Sequence, residues 1–335
     1  MIWRRLAVKA VIICGLLAVG LMLLTQQRAA ARKQVFEAAF PPIGTFVTVA
    51  GQRVHYLQKG SGPHVVLIHG AGGNLRDFSY DLIDRLAVDF TVTAFDRPGL
   101  GYSDRLTDVA DGPFATAGES PQAQAAALRE AAAQLGVTAP VVVGHSYGGS
   151  VAMAWALAGL ADTVVQDASA VVSLGGVLMP WPGRLNRFYR THGSVLGGIV
   201  TIPMIAAFAP ETKVDRSVAG VFTPDPVPDG YIAHIGAPLA IRQATFAANV
   251  RQVNTLRPHV VAMAEDYPQL TLPIEIIHGT ADATVPIAVH PEELVKIVPT
   301  AHLTPLQNVG HMPHHADPQA AVTAIKRAAT RAGLL

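Results

Sequence analysis

Cysteine is nearly absent from this chain. The only one, Cys14, lies in an apolar run near the N-terminus. The remainder therefore has no internal disulfide and no thiol for nucleophilic or redox chemistry, and cysteine usage says nothing of the compartment. Charge is sparse as well, at 15% of residues with a formal net charge of +1. No basic block follows the N-terminal arginines, which speaks against a nucleic-acid partner. No internal repeat is visible. Apolar residues, by contrast, make up 50% of the chain, enough for a large core. The 30 glycines and 24 prolines suit a loop-rich enzyme better than a helical bundle. A length of 335 residues suggests about two domains.

The first segment stands apart. Residues 6–24 are apolar except for Lys9, which can snorkel from near a helix end. At about 1.5 Å per residue they span about 28 Å, close to the hydrocarbon core of a bilayer. Residues 1–28 thus read as an N-terminal transmembrane helix, a single-pass anchor with membrane lipid as its partner. A cleaved signal peptide with a secreted or periplasmic product stays open, with Ala29-Ala30-Ala31 as the small-residue site. Arg28, Arg32 and Lys33 crowd that site. Basic residues on the two sides balance, so orientation is undecided. Residues 29–43, with Pro41-Pro42, read as a linker.

The centre of the chain is Val141-Val142-Val143-Gly144-His145-Ser146-Tyr147-Gly148-Gly149, followed by an Ala-rich apolar run. This reads as a buried strand, a tight turn and a helix. The turn forces Ser146 into a strained backbone and points its hydroxyl out of the top of a sheet; only glycine fits at 144 and 148. Ser146 precedes a helix N-terminus, whose free N–H groups can hold a developing negative charge. This nucleophile elbow resembles that of the α/β-hydrolase family.

Regular alternation surrounds the elbow. Residues 44–49 and 53–57 read as a hairpin. Strands follow at 64–68 and 90–95, with helical spacing over 75–88 between them. Ser120 caps a helix that begins at Pro121 and stops at Gly136. A strand at 168–177 comes after the elbow helix. The pattern lapses over residues 179–266 and resumes with strands at 272–278 and 302–306 and helices at 291–298 and 318–332. The expectation is an α/β fold: a mostly parallel central sheet with helices on both faces and an inserted helical cap. Residues 44–178 and 267–335 are its two core parts, and 179–266 are the cap.

A serine needs a base, and the base an orienting acid, both at carboxyl ends of strands beside the elbow. Asp282 follows the 272–278 strand in His278-Gly279-Thr280-Ala281-Asp282, and His311 follows the last strand in Asn308-Val309-Gly310-His311. The order Ser146, Asp282, His311 is the one expected for this fold, and both loops resemble the family's acid and histidine loops. Asp282 as a mere turn-former stays open, as do His314 or His315 as the base. His311, His314 and His315 also suggest a metal, but no carboxylate or cysteine pattern accompanies them, so neither metal nor cofactor is expected. The Tyr147 N–H is expected to bind the oxyanion. The resemblance implies Ala71, in His69-Gly70-Ala71-Gly72-Gly73, as the second donor.

A serine at the elbow argues against the dehalogenases and epoxide hydrolases of this fold, which use aspartate there. The resemblance therefore implies a serine esterase-type hydrolase that cleaves carboxylic esters or thioesters of small or acyl substrates through an acyl-enzyme. A carbon–carbon-bond hydrolase, a cofactor-free haloperoxidase and a non-catalytic membrane-tethered binding protein are the alternatives. Residues 193–209 carry no charge and include Pro203 and Gly197-Gly198, which disfavour a straight spanning helix. Three roles are open to them: a cap helix buried on the core, a wall of the substrate pocket over Ser146, or a surface that dips into the bilayer.

Overall fold

The structure, a computed structural model, describes residues 2–161 and 167–335. Its centre is one sheet of β1 (Thr45–Val49), β2 (Gln52–Lys59), β3 (His64–Ile68), β4 (Thr91–Phe95), β5 (Val141–His145), β6 (Ala170–Leu174), β7 (Ile274–Gly279) and β8 (Ala301–Leu306). The spatial order is β1-β2-β4-β3-β5-β6-β7-β8. The β1–β2 and β2–β4 pairs are antiparallel and every other pair is parallel.

Strand side chains alternate between two faces, which is how continuous Val runs serve two cores at once. Val66, Ile68 and Val142 pack on one side with the helices Pro121–Gln134 and Tyr147–Ala161. Val65, Leu67, Val141 and Val143 pack on the other with Leu82–Leu86 and Pro318–Arg331. The Ser120 hydroxyl accepts from the Ala123 N–H at 3.0 Å, and Pro121 opens that helix. The stretch expected as one helix over 75–88 is two, Arg76–Ser79 and Leu82–Leu86, because Asp81 leaves helical backbone at φ −154°.

Register decides where chemistry can occur. Ile68 lies level with Gly144, Gly144 with Ser173, and Ser173 with Ile276. The carboxyl ends of β3, β5, β6 and β7 therefore form one edge, and the loops that follow them converge there.

Between β6 and β7 all regular structure among the described residues is helical, from Arg187–His192 to the long Gln243–Ala264. The N-terminal helix runs over Ile2–Ala39, and side chains 3–24 are exposed. It is long and apolar enough to cross a membrane, with a mean hydropathy of 2.5 in its most apolar window. Residues 29–43 are not a simple linker. Helix continues to Ala39, since good helix formers fill the stretch and no Gly or Pro interrupts it before Pro41. This half docks on the cap: Phe36 packs against Leu239 and Ile241. The Arg28 guanidinium donates to the Ala207 carbonyl at 2.8 Å, and Arg32 donates to the Ala206 and Ala209 carbonyls at 2.8 and 2.7 Å.

Candidate active site

Ser146 has a positive φ of 52°, a left-handed conformation that costs about 1–3 kcal/mol for a non-glycine residue. Its surroundings impose it. The Ser146 N–H donates to the Leu174 carbonyl at 3.1 Å, and the Ser146 carbonyl accepts from Gly149 and Val177 N–H groups at 3.0 Å each. A Cβ at Gly144 would overlap the Gly148 carbonyl, and one at Gly148 would overlap the Ile68 carbonyl. The turn closes only because both positions lack side chains.

The three residues proposed as catalytic from sequence meet at the sheet edge. The Ser146 hydroxyl donates to His311 Nε2 at 2.9 Å, and His311 Nδ1–H donates to Asp282 Oδ2 at 2.7 Å. The other Asp282 oxygen accepts the Thr284 and Val285 N–H groups, both at 2.8 Å. Asp282 is thus both a turn-former through Oδ1 and the histidine's acceptor through Oδ2. Burial alone would raise its carboxyl, but hydrogen bonding from His278 and His311 outweighs it and holds the group below the usual carboxylate range. The β6 end cannot supply a rival acid. Gly175 stands there, and its backbone lies against His311, with room for a Cβ only 3.1 Å from the His311 carbonyl.

The loop after β3 lies against the serine; a Cβ at Gly70 would come within 3.0 Å of Ser146 Cβ. His69 shapes this loop. Its Nε2 accepts the Arg97 N–H at 3.0 Å, so Nδ1 carries the proton and donates to the Gly70 carbonyl at 2.9 Å. Burial, aided by the Arg97 charge, pushes His69 down to about 4 and keeps it neutral. Arg97, itself buried, donates to the Gly70 carbonyl at 3.1 Å and lies 4.1 Å above the Tyr147 ring, so it clamps the two sides of the site together. The cap takes part: Asn249 accepts the Gly72 N–H at 2.7 Å. Tyr147 opens its helix, so its N–H is among those without an intrahelical partner.

Sequence reasoning missed the group behind the elbow. Asp77 Oδ1 accepts the Tyr231 hydroxyl at 2.7 Å and His315 Nε2–H at 2.8 Å, while Oδ2 lies 3.3 Å from His314 Nε2 and 3.7 Å from His145 Nδ1. His145 Nε2–H donates to the His311 carbonyl at 3.1 Å. His314 and His315 are thus engaged with Asp77, while His311 faces Ser146. Asp77, His145 and His314 each offer one ligand atom within 4.8 Å of the others, so the carboxylate that the histidine motif lacked comes from a distant helix. Asp77 is already answered by two histidines and a tyrosine, which accounts for its burial.

A cavity of about 190 Å³ opens over Ser146 and His311. Its apolar wall comes from Val214, Val218, Val221 and Phe222, with Ile235 and Met312. No residue of 193–209 lines it, which corrects one of the roles left open for that stretch: Ile202 packs on Phe246 and Val250. The charge-free run is partly buried and partly exposed, whereas the pocket wall lies on the next helix, Glu211–Phe222, whose other face is charged. A larger cleft of about 1020 Å³ lies between the N-terminal helix and the body, away from Ser146.

Known proteins are similar to this chain. A protein of Mycobacterium tuberculosis described as uncharacterized is 28% identical over 296 residues, 86% of this chain and 81% of that one. The pimeloyl-acyl-carrier-protein methyl ester esterase of Vibrio vulnificus is 25% identical over 291 residues, 79% of this chain and 94% of its own. The crystal structure of a bacterial membrane phospholipase A superposes with a TM-score of 0.66 at 18% identity, covering 99% of this chain and 100% of that one. The family model described as the alpha/beta hydrolase family matches residues 65–325. A match over so much of the sheet, elbow and final helix leaves one assignment: this chain is a hydrolase and belongs to the alpha/beta hydrolase family.

Proposed function

We propose that the chain is a serine ester hydrolase acting on a carboxylic ester or thioester. The observation that carries the reading is the continuous relay from the Ser146 hydroxyl through His311 to Asp282, at 2.9 and 2.7 Å. In the proposed reaction Ser146 Oγ attacks the substrate carbonyl and its proton passes to His311 Nε2. The Ala71 and Tyr147 N–H groups hold the resulting oxyanion. Collapse expels the alcohol or thiol, which takes the proton from His311, and water then releases the acid by the same steps in reverse roles. Asp282 orients the imidazole and stabilises its protonated form. The apolar wall from Val214 to Phe222 suits an acyl chain, and the Vibrio vulnificus relative is by name a methyl ester esterase. In this reading residues 44–178 and 267–335 are the catalytic body and 179–266 the cap that selects substrate.

The test is Ser146→Ala in the purified full chain. Turnover of esters should fall to the residue left by oxyanion binding alone, roughly a thousandfold to ten-thousandfold over water, and labelling by a fluorophosphonate should vanish. His311→Ala should cost about as much, whereas His314→Ala and His315→Ala should retain activity in the folded fraction. Near-normal turnover by folded Ser146→Ala would sink the mechanism. Carbon–carbon cleavage or peroxide-dependent halogenation with no turnover of esters would move the chain to another chemistry that this fold carries.

We also propose that residues 6–24 anchor the protein in a membrane. Carbonate-washed membranes should retain the intact chain. A soluble product beginning near Arg32 would instead establish a cleaved signal.

A further inference from the structure

One segment of the cap has an inverted surface. Over residues 195–208 the exposed positions are Val195, Leu196, Ile199, Val200, Met204 and Phe208, every one of them large and apolar; Met204 and Phe208 border the N-terminal helix and Ile199 the cleft beside it. Those that face inward are small or buried, with Gly197, Gly198, Ile202 and Ala206 among them. A water-facing helix carries polar residues on its outer face, and contiguous apolar exposure of this kind marks an interaction surface. Leu196 is 64% exposed, Val200 45% and Ile199 41%.

The N-terminal helix identifies what covers it. The two elements run side by side in the same direction: Thr25 meets Met204, Arg28 meets Ala207, and Arg32 meets Ala209. Following both back from Thr25 and Met204 by about two helical turns, roughly 11 Å, through the π-helical Gly197–Thr201, brings Leu196 to about the level of residues 17–18, inside the apolar span 6–24. Met22 and Ile199 accordingly line the same cleft. The charge boundary falls at one level on both elements. The Arg28 guanidinium lies 5.2 Å over the Phe208 ring, and Arg28 and Arg32 hold the last carbonyls of the cap helix. Beyond that level come Glu211, which opens the next helix, and Lys33 and Glu37 on the N-terminal helix. Basic residues at the rim of an apolar span are what a headgroup layer selects.

We infer that the outer face of residues 195–208 is immersed in the leaflet that receives the end of the N-terminal helix, so that the cap itself is a membrane-embedded surface. The inference rests on the anchor reading and is independent of the ester-hydrolase reading. It commits to lipid as the occupant, because the register places the face at the depth of the apolar span.

The test uses the full chain with Cys14→Ser, bearing one bimane-labelled cysteine at a time, in phosphatidylcholine and phosphatidylglycerol vesicles with or without brominated phosphatidylcholine. The positions are Leu196→Cys, Val200→Cys, Leu17→Cys as the anchor reference and Val88→Cys as the water reference. Val88 is 78% exposed and precedes β4, at the sheet end opposite the elbow. Leu196 and Val200 labels should lose fluorescence to brominated lipid as fully as Leu17, and Val88 should lose none. If Leu17 is quenched while Leu196 and Val200 behave as Val88 does, the cap lies in water and the inference fails while the anchor stands. If Leu17 is unquenched, both fail. Blue-shifted but unquenched labels at 196 and 200 would mean that a second copy of the chain covers the face, which also overturns it.

Discussion

Asp77→Asn tests the buried network behind the elbow in a quantity that can be worked out beforehand. Asp77 is 6% exposed and answers Tyr231, His315 and His314. The amide keeps the shape but removes the charge and turns one acceptor into a donor that faces other donors. One unsatisfied buried donor costs about 1–3 kcal/mol, and each hydrogen bond lost from a charged acceptor about 1.5–3 kcal/mol. These overlap, so the expected loss is about 4 kcal/mol, or roughly a 6 °C fall in Tm for a chain of this size. Burial alone would raise the Asp77 carboxyl, but the charges and hydrogen bonds of His314 and His315 outweigh it and hold the group well below 3.8. A carboxyl with a depressed folded pKa contributes stability above its unfolded pKa and loses it as pH falls through the folded value. The full effect is therefore present at neutral pH. The assay is thermal unfolding in mild detergent, repeated in a His315→Gln background, where the same substitution should cost less because the two sites are coupled. A shift of less than about 2 °C, or equal costs in both backgrounds, would refute the assignment of Asp77 as the anchor of this cluster.

Two further outcomes follow from the site. Val218→Asp places a charge on the pocket wall and should lower kcat/KM for medium-chain esters by about tenfold more than for acetate esters; equal loss on both would indicate a misfolded cap. Stability should fall on mild acidification, because burial pushes both His69 and His290 down to about 4 from 6.5. Below 6.5 the unfolded chain takes up protons that these folded histidines refuse, so each should remove about 1.4 kcal/mol per pH unit until about pH 4. Chemical denaturation between pH 7 and 4.5 measures this, and a flat profile would count against neutral buried imidazoles.

What the sequence determined by itself was local grammar. A Val run into Gly144-His145-Ser146-Tyr147-Gly148 specifies strand, strained turn and helix within one short window, because only glycine tolerates the crowding at 144 and 148. The strand-then-turn pattern likewise located Asp282 and His311, since a parallel sheet gathers its carboxyl ends at one edge whatever the strands' distance in sequence. The N-terminal apolar span was visible as length and hydropathy, but its end was not. Whether residues 29–39 dangle or dock depends on Phe36, Arg28 and Arg32 finding Leu239, Ile241 and the carbonyls of 206, 207 and 209. The Asp77 network joins residues from four distant segments, and nothing near Asp77 in sequence announces its histidines. Which part of residues 179–266 walls the pocket was left open for a related reason. Absence of charge over 193–209 does not separate a core face, a substrate wall and a lipid-facing surface. Which face of which helix turns toward Ser146 is fixed by the packing of Glu211–Phe222 and Gln243–Ala264 over the sheet edge, a long-range balance of burial that no local pattern encodes.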